Sequence, residues 1–177
     1  MSVKDHTKYG KYIQLMKDCC YEESQGPGIL AIEHSMCPNA NTYFVHWVVP
    51  DGTQKEPQVG HPPHVHKENE LLFFIGGDPE HPEELGGVFE ISFGEEMERH
   101  IIDKTCCITI PGGLPHGRYI IHDTKRAWMF VRVHEGPART EKPRQDLLSA
   151  EERAQIRYPK QWTIVGFDEN DEDNKGE

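Results

Sequence analysis

A stretch rich in histidine, residues 61–70, contains the side chains of this sequence that are best suited to chemistry. His64 and His66 are two positions apart, and in an extended strand this spacing places both imidazoles on one face. The polar residues 67–69 can turn the chain before the next apolar run, which leaves Glu70 within reach of the same point. Two neutral imidazoles and one carboxylate on one side form a facial triad, which binds a divalent first-row metal and leaves coordination positions open.

A third histidine, His116, lies in a turn rich in glycine and proline at residues 111–117. This turn follows the strand-like residues 107–110 and can aim the imidazole at the point that the other candidate ligands share. Glu68 competes with Glu70 for the role of the carboxylate ligand. An uninterrupted strand would place Glu68 on the same face as the two preceding histidines.

The candidate ligands coincide with two sequence motifs of the cupin superfamily, which this chain resembles. The first motif, G-(x)5-H-x-H-(x)3,4-E-(x)6-G, is matched at His64, His66, Glu70 and Gly77. The second motif, G-(x)5-P-x-G-(x)2-H-(x)3-N, is matched at Pro111, Gly113 and His116. The family spacing favours Glu70 over Glu68 as the carboxylate ligand. The predicted metal ligands are therefore His64, His66, Glu70 and His116.

Three motif positions depart from the family pattern, and none of them is a ligand. Gln58 and Thr105 stand where the motifs begin with glycine, and Ile120 stands where the second motif ends with asparagine. The resemblance covers roughly residues 28–136. It implies one divalent metal per chain, with Fe, Mn, Ni and Zn all compatible with these ligands. It does not select a reaction, because cupins include dioxygenases, decarboxylases, isomerases, lyases and non-catalytic binders.

The chain outside the ligand motifs predicts an all-β antiparallel fold. Short β-branched and aromatic runs separated by glycine and proline turns favour an antiparallel barrel or sandwich, and the family resemblance implies a jelly-roll β-barrel with short terminal helices. The strands are expected at residues 29–34, 43–49, 71–75, 88–93, 97–102, 107–110, 118–122 and 127–134. Residues 78–86 are acidic and rich in proline and glycine, which predicts a loop that decorates the surface, forms a lid or contacts another subunit.

Four regions are expected along the chain. Residues 1–27 are predicted to form an N-terminal arm or helix, and residues 28–136 form the barrel. Residues 137–167 are expected to cover a barrel edge, with a helix that begins at the capping box 149–152 and runs to about Arg157. The acidic tail, residues 168–177, is predicted to be disordered because it has almost no apolar side chains to bury.

Composition excludes several classes of partner. The net charge of -11 argues against nucleic acid binding, which needs a basic surface. No apolar run is long enough for a membrane span, and the N-terminus lacks the apolar core of a signal peptide. The odd number of cysteines and their vicinal pairs favour a reducing compartment, so a cytoplasmic protein is expected. The role of Cys106 and Cys107 stays open, although small buried side chains are the simpler interpretation.

Two further residues are candidates for the pocket around the metal. Counting by two from His116 places Arg118 on the same strand face, where its guanidinium could bind a substrate carboxylate; a surface ion pair is the alternative. His46 is a candidate general base, with an ordinary core or surface imidazole as the alternative. His61 and His100 are not expected to be ligands.

These observations favour a metal-dependent enzyme acting on a small polar or carboxylate-bearing molecule. The reaction is either a dioxygenase reaction or a redox-neutral lyase, decarboxylase or isomerase reaction. A non-catalytic binder of a small ligand is the first alternative, and a structural protein with an incidental metal is the second. The family resemblance also suggests a homodimer.

Overall fold

The computed structural model describes residues 7–16, 22–23, 26–32, 39–50, 58–59, 61–155 and 164–168. The strands in these ranges are β1 (Glu22–Glu23), β2 (Gly26–Ile32), β3 (Thr42–Val48), β4 (Gln58–Val59), β5 (His64–Val65), β6 (Glu70–Gly76), β7 (Glu84–Phe93), β8 (Glu98–Lys104), β9 (Cys106–Ile110), β10 (His116–Thr124), β11 (Trp128–His134) and β12 (Lys142–Pro143). The described helices are two 3-10 turns, Gly10–Tyr12 and Gln145–Leu147, and one α-helix, α1 (Ala150–Gln155). None of these helices has the length and apolar character needed to cross a membrane.

The strands form two six-stranded antiparallel sheets. The first sheet has the order β1-β2-β3-β11-β6-β9, and the second has the order β12-β5-β10-β7-β8 with β4 paired to β10. The predicted all-β antiparallel jelly roll is confirmed. Within the described ranges no strand pairing joins one sheet to the other, so the fold is a sandwich of two facing sheets, and the expected barrel is not closed by hydrogen bonds.

The core lies between the two sheets and is dominated by aromatic rings. Phe74 and Phe130 of the first sheet are opposite one another in register, and their ring centroids are 4.9 Å apart. Phe89 of the second sheet lies 4.9 Å from the Phe74 ring and 5.5 Å from the Tyr119 ring. Trp128 and Phe74 have no exposed surface. This packing fixes the separation and orientation of the two sheets.

Strand register arranges the inner face of the first sheet in rows. His46, Phe130, Phe74 and Cys106 form one row across β3, β11, β6 and β9. The last row, at the end of the sheet, consists of Thr42, His134, Glu70 and Ile110. The row between them contains Phe44, Arg132, Leu72 and Ile108. The end row places Glu70 beside the strands of the second sheet that contain the candidate histidines.

A bulge in β10 changes which side chains face the core. The register of β10 against β7 shifts between Gly117 and Ile120, and Gly117 and Arg118 have φ angles of 114° and 56°. A Cβ atom on Gly117 would lie 2.7 Å from the Pro62 carbonyl oxygen, so both the φ angle and the space require glycine there. Beyond the bulge, Tyr119 is buried in the core and Ile120 is opposite the outward-facing Glu90. The predicted regular alternation from His116 is therefore wrong.

The predicted N-terminal arm and C-terminal extension agree only in part with the structure. Of the predicted N-terminal arm, residues 7–16 contain a single 3-10 turn, and much of the remainder lies outside the described residues. The capping box is confirmed at α1: the Ser149 N–H donates to Glu152 Oε2 at 3.0 Å, and the Glu152 N–H donates to Ser149 Oγ at 3.2 Å. Arg157, residues 161–163 and residues 169–177 of the expected tail lie outside the described residues.

Two further predicted segments can be compared with the observed strands. The predicted loop at residues 78–86 is too long, because β7 already begins at Glu84 and the Leu85 side chain is fully buried. The apolar residues 162–167 predict one more strand or an anchor, and in the described part of this stretch Val165 forms an isolated bridge with Glu141. The division of the chain into arm, barrel, extension and tail stays a prediction.

The buried histidines predict a stability that falls in acid. Burial, and secondarily the charge of Arg132, lowers the pKa of His46 to about 3, whereas an unfolded chain takes up this proton near pH 6.5. The unfolded state therefore binds more protons between these values, so the free energy of unfolding decreases as pH falls through this window.

Replacing His46 with Gln should reduce this pH dependence by up to one proton, or about 1.4 kcal/mol per pH unit. The measurement is urea unfolding of metal-free wild type and variant from pH 7 to pH 4 at constant ionic strength. Equal slopes for the two proteins would show that native His46 takes up its proton at the same pH as in the unfolded chain.

Candidate metal centre

Four of the predicted residues converge at the end of the sandwich. His64 in β5, His66 just after it, Glu70 at the start of β6 and His116 at the start of β10 each offer one ligand atom, and these atoms all lie within 4.8 Å of one another. All four side chains are buried. The His64 ring centroid is 4.7 Å from that of His66 and 4.4 Å from that of His116. These residues are called the His/Glu cluster below.

Each histidine of the cluster is oriented by a backbone carbonyl. His64 Nδ1 lies 2.7 Å from the Pro62 oxygen, and His116 Nδ1 lies 2.9 Å from the Leu114 oxygen. His66 Nδ1 contacts the Thr140 oxygen. A carbonyl oxygen can only accept, so each Nδ1 must carry the proton and donate it. Each Nε2 is then left with a lone pair, which is the state of a metal-binding histidine whose tautomer is fixed by its surroundings.

The inner atoms of the cluster are all acceptors. Glu70 Oε2 lies 2.9 Å from His116 Nε2 and 3.8 Å from His66 Nε2. None of these three atoms has a hydrogen-bond partner among the described residues. Buried lone pairs facing one another without a donor are unfavourable. A cation among them removes this conflict, so the donor set fits a divalent metal bound by three imidazole nitrogens and one carboxylate oxygen.

The protonation states also suit metal binding. Burial lowers the pKa of His66 to about 4, and burial together with the neighbouring imidazoles keeps that of His64 well below its usual value. Burial alone would raise the pKa of Glu70, but contact with His116 and proximity to His134 and His66 outweigh it and lower the value to about 2. His64, His66 and Glu70 are therefore deprotonated at neutral pH, as metal coordination requires.

His134 belongs to the surroundings of the cluster and was not identified from the sequence. Its Nε2 lies 3.4 Å from Glu70 Oε1, because the two residues are cross-strand neighbours in the end row. Its ring centroid lies 4.6 Å from that of His66, and burial lowers its pKa to about 3. A neutral His134 can donate to the Glu70 oxygen and orient this carboxylate. Only the register of β11 against β6 reveals this pairing.

The C-terminal extension closes the cluster from outside. β12 pairs with β5, where Pro143 is opposite His64, and Thr140 supplies the carbonyl that holds His66. The backbone N–H and hydroxyl of Thr140 donate to Glu68 Oε2 at 3.1 and 2.7 Å. Glu68 is therefore directed to the extension and not to the cluster, because β5 ends at Val65 and the chain bends before Glu70.

The other two predicted pocket residues are not brought to the cluster. Arg118 lies at the bulge, and its Nη1 pairs with Glu152 Oε1 at 2.9 Å, which is the surface ion pair considered as the alternative. His46 is on the inner face of the first sheet, two rows from the row of Glu70, and its ring lies 5.4 Å from that of Phe130.

The described cysteines also lie away from the cluster. Cys106 is half-buried against the aromatic core, and Cys107 is exposed. Burial raises the pKa of both thiols. A thiol whose pKa is raised by burial has little thiolate at neutral pH, so neither has the features of a reactive cysteine.

Further polar and aromatic groups surround the cluster. His61 Nδ1 lies 3.0 Å from His64 Nδ1, and His61 Nε2 lies 3.6 Å from Glu141 Oε1. Arg139 forms an ion pair with Glu141. The Tyr119 ring lies 6.1 Å from that of His64, and burial together with the charge of Glu70 raises the pKa of Tyr119 well above its usual value.

Matched variants can show whether Glu70 or Glu68 is the carboxylate ligand. We expect Glu70→Gln to weaken metal binding at least tenfold, while the metal-free variant is as stable as wild type or more so, because the amide can donate to His116 Nε2. Glu68→Gln should keep wild-type metal affinity. Competition with a chromophoric chelator and thermal unfolding of the metal-free proteins give both quantities. Equal affinity losses in the two variants would contradict the assignment of Glu70.

Comparisons with known proteins give no match in sequence, since no protein-family model and no curated protein matches the chain. Solved structures match it in fold. Oxalate decarboxylase from Lactobacillus farciminis, solved as a formate complex, aligns with a TM-score of 0.50 and 15% identity over 81% of this chain and 42% of that chain. Oxalate decarboxylase from Bacillus subtilis aligns with a TM-score of 0.46 and 17% identity over 77% of this chain and 32% of that chain.

The polyketide cyclase RemF from Streptomyces resistomycificus aligns with a TM-score of 0.48 and 15% identity over 78% of this chain and 82% of that chain. This chain spans less than half the length of the two oxalate decarboxylases. At these identities the likeness concerns the fold and not the reaction. Two facing antiparallel sheets with a His/Glu cluster at one end, and the likeness to the Lactobacillus structure, show that the chain has the cupin fold.

Proposed function

We propose that this protein is a mononuclear metal enzyme acting on a small carboxylate-bearing molecule. The observation that carries the proposal is the convergence of four buried candidate ligands, of which three atoms, on His66, Glu70 and His116, have no hydrogen-bond partner among the described residues. Backbone carbonyls hold the three imidazoles in the metal-binding tautomer. This preorganisation indicates a site built for a cation and not a set of polar residues that satisfy one another.

Four protein ligands leave coordination positions open on a six-coordinate ion. A divalent metal in such a site supplies Lewis acidity toward substrate oxygens, and a redox-active one can also support oxygen chemistry. The chain's own residues contribute orientation. His134 faces the second oxygen of Glu70, and the C-terminal extension covers the site through Thr140 and β12.

The charges near the cluster favour an anionic substrate. Arg132 lies on the inner face one row from His134, with its guanidinium carbon 5.1 Å from the centre of the Phe44 ring. The guanidinium carbon of Arg139 lies 5.8 Å from the same ring. Both positive charges contribute to lowering the pKa of His134, whose Nε2 lies 3.4 Å from Glu70 Oε1. Arg132 is therefore a better candidate than Arg118 for a contact with a substrate carboxylate.

The interior favours a small substrate. The space between the sheets beyond the row of Leu72 and Arg132 is filled by the rings of Phe74, Phe89, Trp128 and Phe130. Little room remains for a large apolar molecule in the core, so the substrate is expected to occupy the end of the sandwich near His61 and Arg139. We propose a molecule of a few carbon atoms with one or two carboxylates.

Turnover of small carboxylic and keto acids by protein loaded separately with Fe(II), Mn(II), Ni(II) or Zn(II) tests this function. Running each assay with and without oxygen separates a dioxygenase from a redox-neutral lyase, decarboxylase or isomerase. The proposal predicts turnover of at least one of these acids that is lost in His116→Ala. Saturable binding of an acid without product would instead support a non-catalytic ligand-binding protein.

The two arginines can be compared directly with the acid that is turned over. Arg132→Gln should raise KM about tenfold with a smaller effect on kcat, because a charge-assisted contact to the bound carboxylate is lost. Arg118→Gln should leave both parameters near wild type. The reverse result would return the substrate contact to Arg118, which is one of the two alternatives that the sequence leaves open.

A further inference from the structure

Tyr119 lies between the aromatic core and the His/Glu cluster. Its ring centroid is 6.1 Å from that of His64 and 6.0 Å from that of His61 on one side. On the other side it lies 5.5 Å from Phe89 and 6.2 Å from Phe130. The bulge at residues 117–118 creates this position, because a regular strand from His116 would turn Tyr119 away from the core.

The hydroxyl of Tyr119 is a buried polar group without a hydrogen-bond partner among the described residues. The residue is 6% exposed. Leaving a buried hydroxyl unsatisfied is unfavourable, and phenylalanine would fill the same aromatic space without this penalty. Packing with Phe89 and Phe130 therefore explains the ring of Tyr119 but not its hydroxyl.

The hydroxyl differs in kind from the other atoms of the site. The inner atoms of the cluster are acceptors, as the carbonyl contacts of the three histidines establish. A phenol hydroxyl can donate. A small molecule whose oxygen atoms face both the cluster and Tyr119 would complete the hydrogen bonding of the site.

We infer that the Tyr119 hydroxyl donates a hydrogen bond to an oxygen atom of the small anion that binds at the His/Glu cluster. The inference rests on the proposed function and specifies it further: the ligand must present an acceptor oxygen, such as that of a carboxylate or a carbonyl, toward β10. Tyr119 then selects oxygen-bearing ligands over apolar ones of the same size, because an apolar group would leave the hydroxyl unsatisfied.

Formate binding to the Co(II)-loaded protein tests the inference without any assay of turnover. The visible absorption of bound Co(II) reports both metal loading and the arrival of formate. Tyr119→Phe should weaken formate binding about tenfold, as expected for the loss of one hydrogen bond to a charged group. It should keep the wild-type cobalt content, and the melting temperature of the metal-free variant should be equal or higher. Tyr43→Phe, in the outer face of the first sheet, is the matched control and should equal wild type in all three measurements.

The outcomes distinguish failure of the inference about Tyr119 from failure of the proposed function. Formate affinity of Tyr119→Phe within twofold of wild type overturns the inference and leaves the proposed metal site intact. A lower melting temperature of the metal-free variant, with unchanged formate affinity, shows that the hydroxyl has a structural partner. If wild-type protein binds neither Co(II) nor formate, both the inference and the proposed function are overturned.

Discussion

The site depends on three hydrogen bonds that point away from it. The carbonyls of Pro62, Leu114 and Thr140 each accept a hydrogen bond from the Nδ1–H of one histidine, which leaves each Nε2 with a lone pair. The Nε2 atoms of His66 and His116 lie 3.8 and 2.9 Å from Glu70 Oε2. Burial makes this arrangement costly without a cation, because no donor among the described residues satisfies His66 Nε2, His116 Nε2 or Glu70 Oε2. Packing and hydrogen bonding elsewhere in the fold must therefore offset the unfavourable free energy of bringing these acceptor atoms together in the metal-free protein.

Three separate parts of the fold bring these bonds about. The end row of the first sheet fixes Glu70 beside His134, and β5 and β10 of the second sheet place His64 opposite His116 in register. The extension after the last core strand returns along β5 and supplies the Thr140 carbonyl. Because these contacts link both sheets and the extension, the cluster requires the assembled fold and cannot form in a local segment of the chain.

The sequence predicted the four residues of the His/Glu cluster better than it predicted their surroundings. The spacing of His64, His66 and Glu70 determines their local geometry, and the second motif places His116 after a turn. These four positions can therefore be predicted from the order of residues in the sequence. His134 could not be identified, since its pairing with Glu70 depends on the register of two strands far apart in sequence. Arg118 was misplaced and Tyr119 overlooked for one reason: a two-residue bulge at positive φ reverses the alternation on which the prediction relied.

The prediction of a closed barrel failed for a similar reason, because it also depends on contacts between strands that are far apart in the sequence. Alternating short strands and turns predict facing sheets, but closure depends on edge pairings that no local pattern encodes.

Whether the His/Glu cluster holds one metal ion can be measured by elemental analysis of protein purified without chelators or an immobilised-metal column, beside a His64→Ala/His66→Ala variant. We expect about one divalent transition metal per chain in wild type and almost none in the variant. Wild-type protein that stays empty after incubation with Fe(II), Mn(II), Ni(II) and Zn(II) would contradict this expectation.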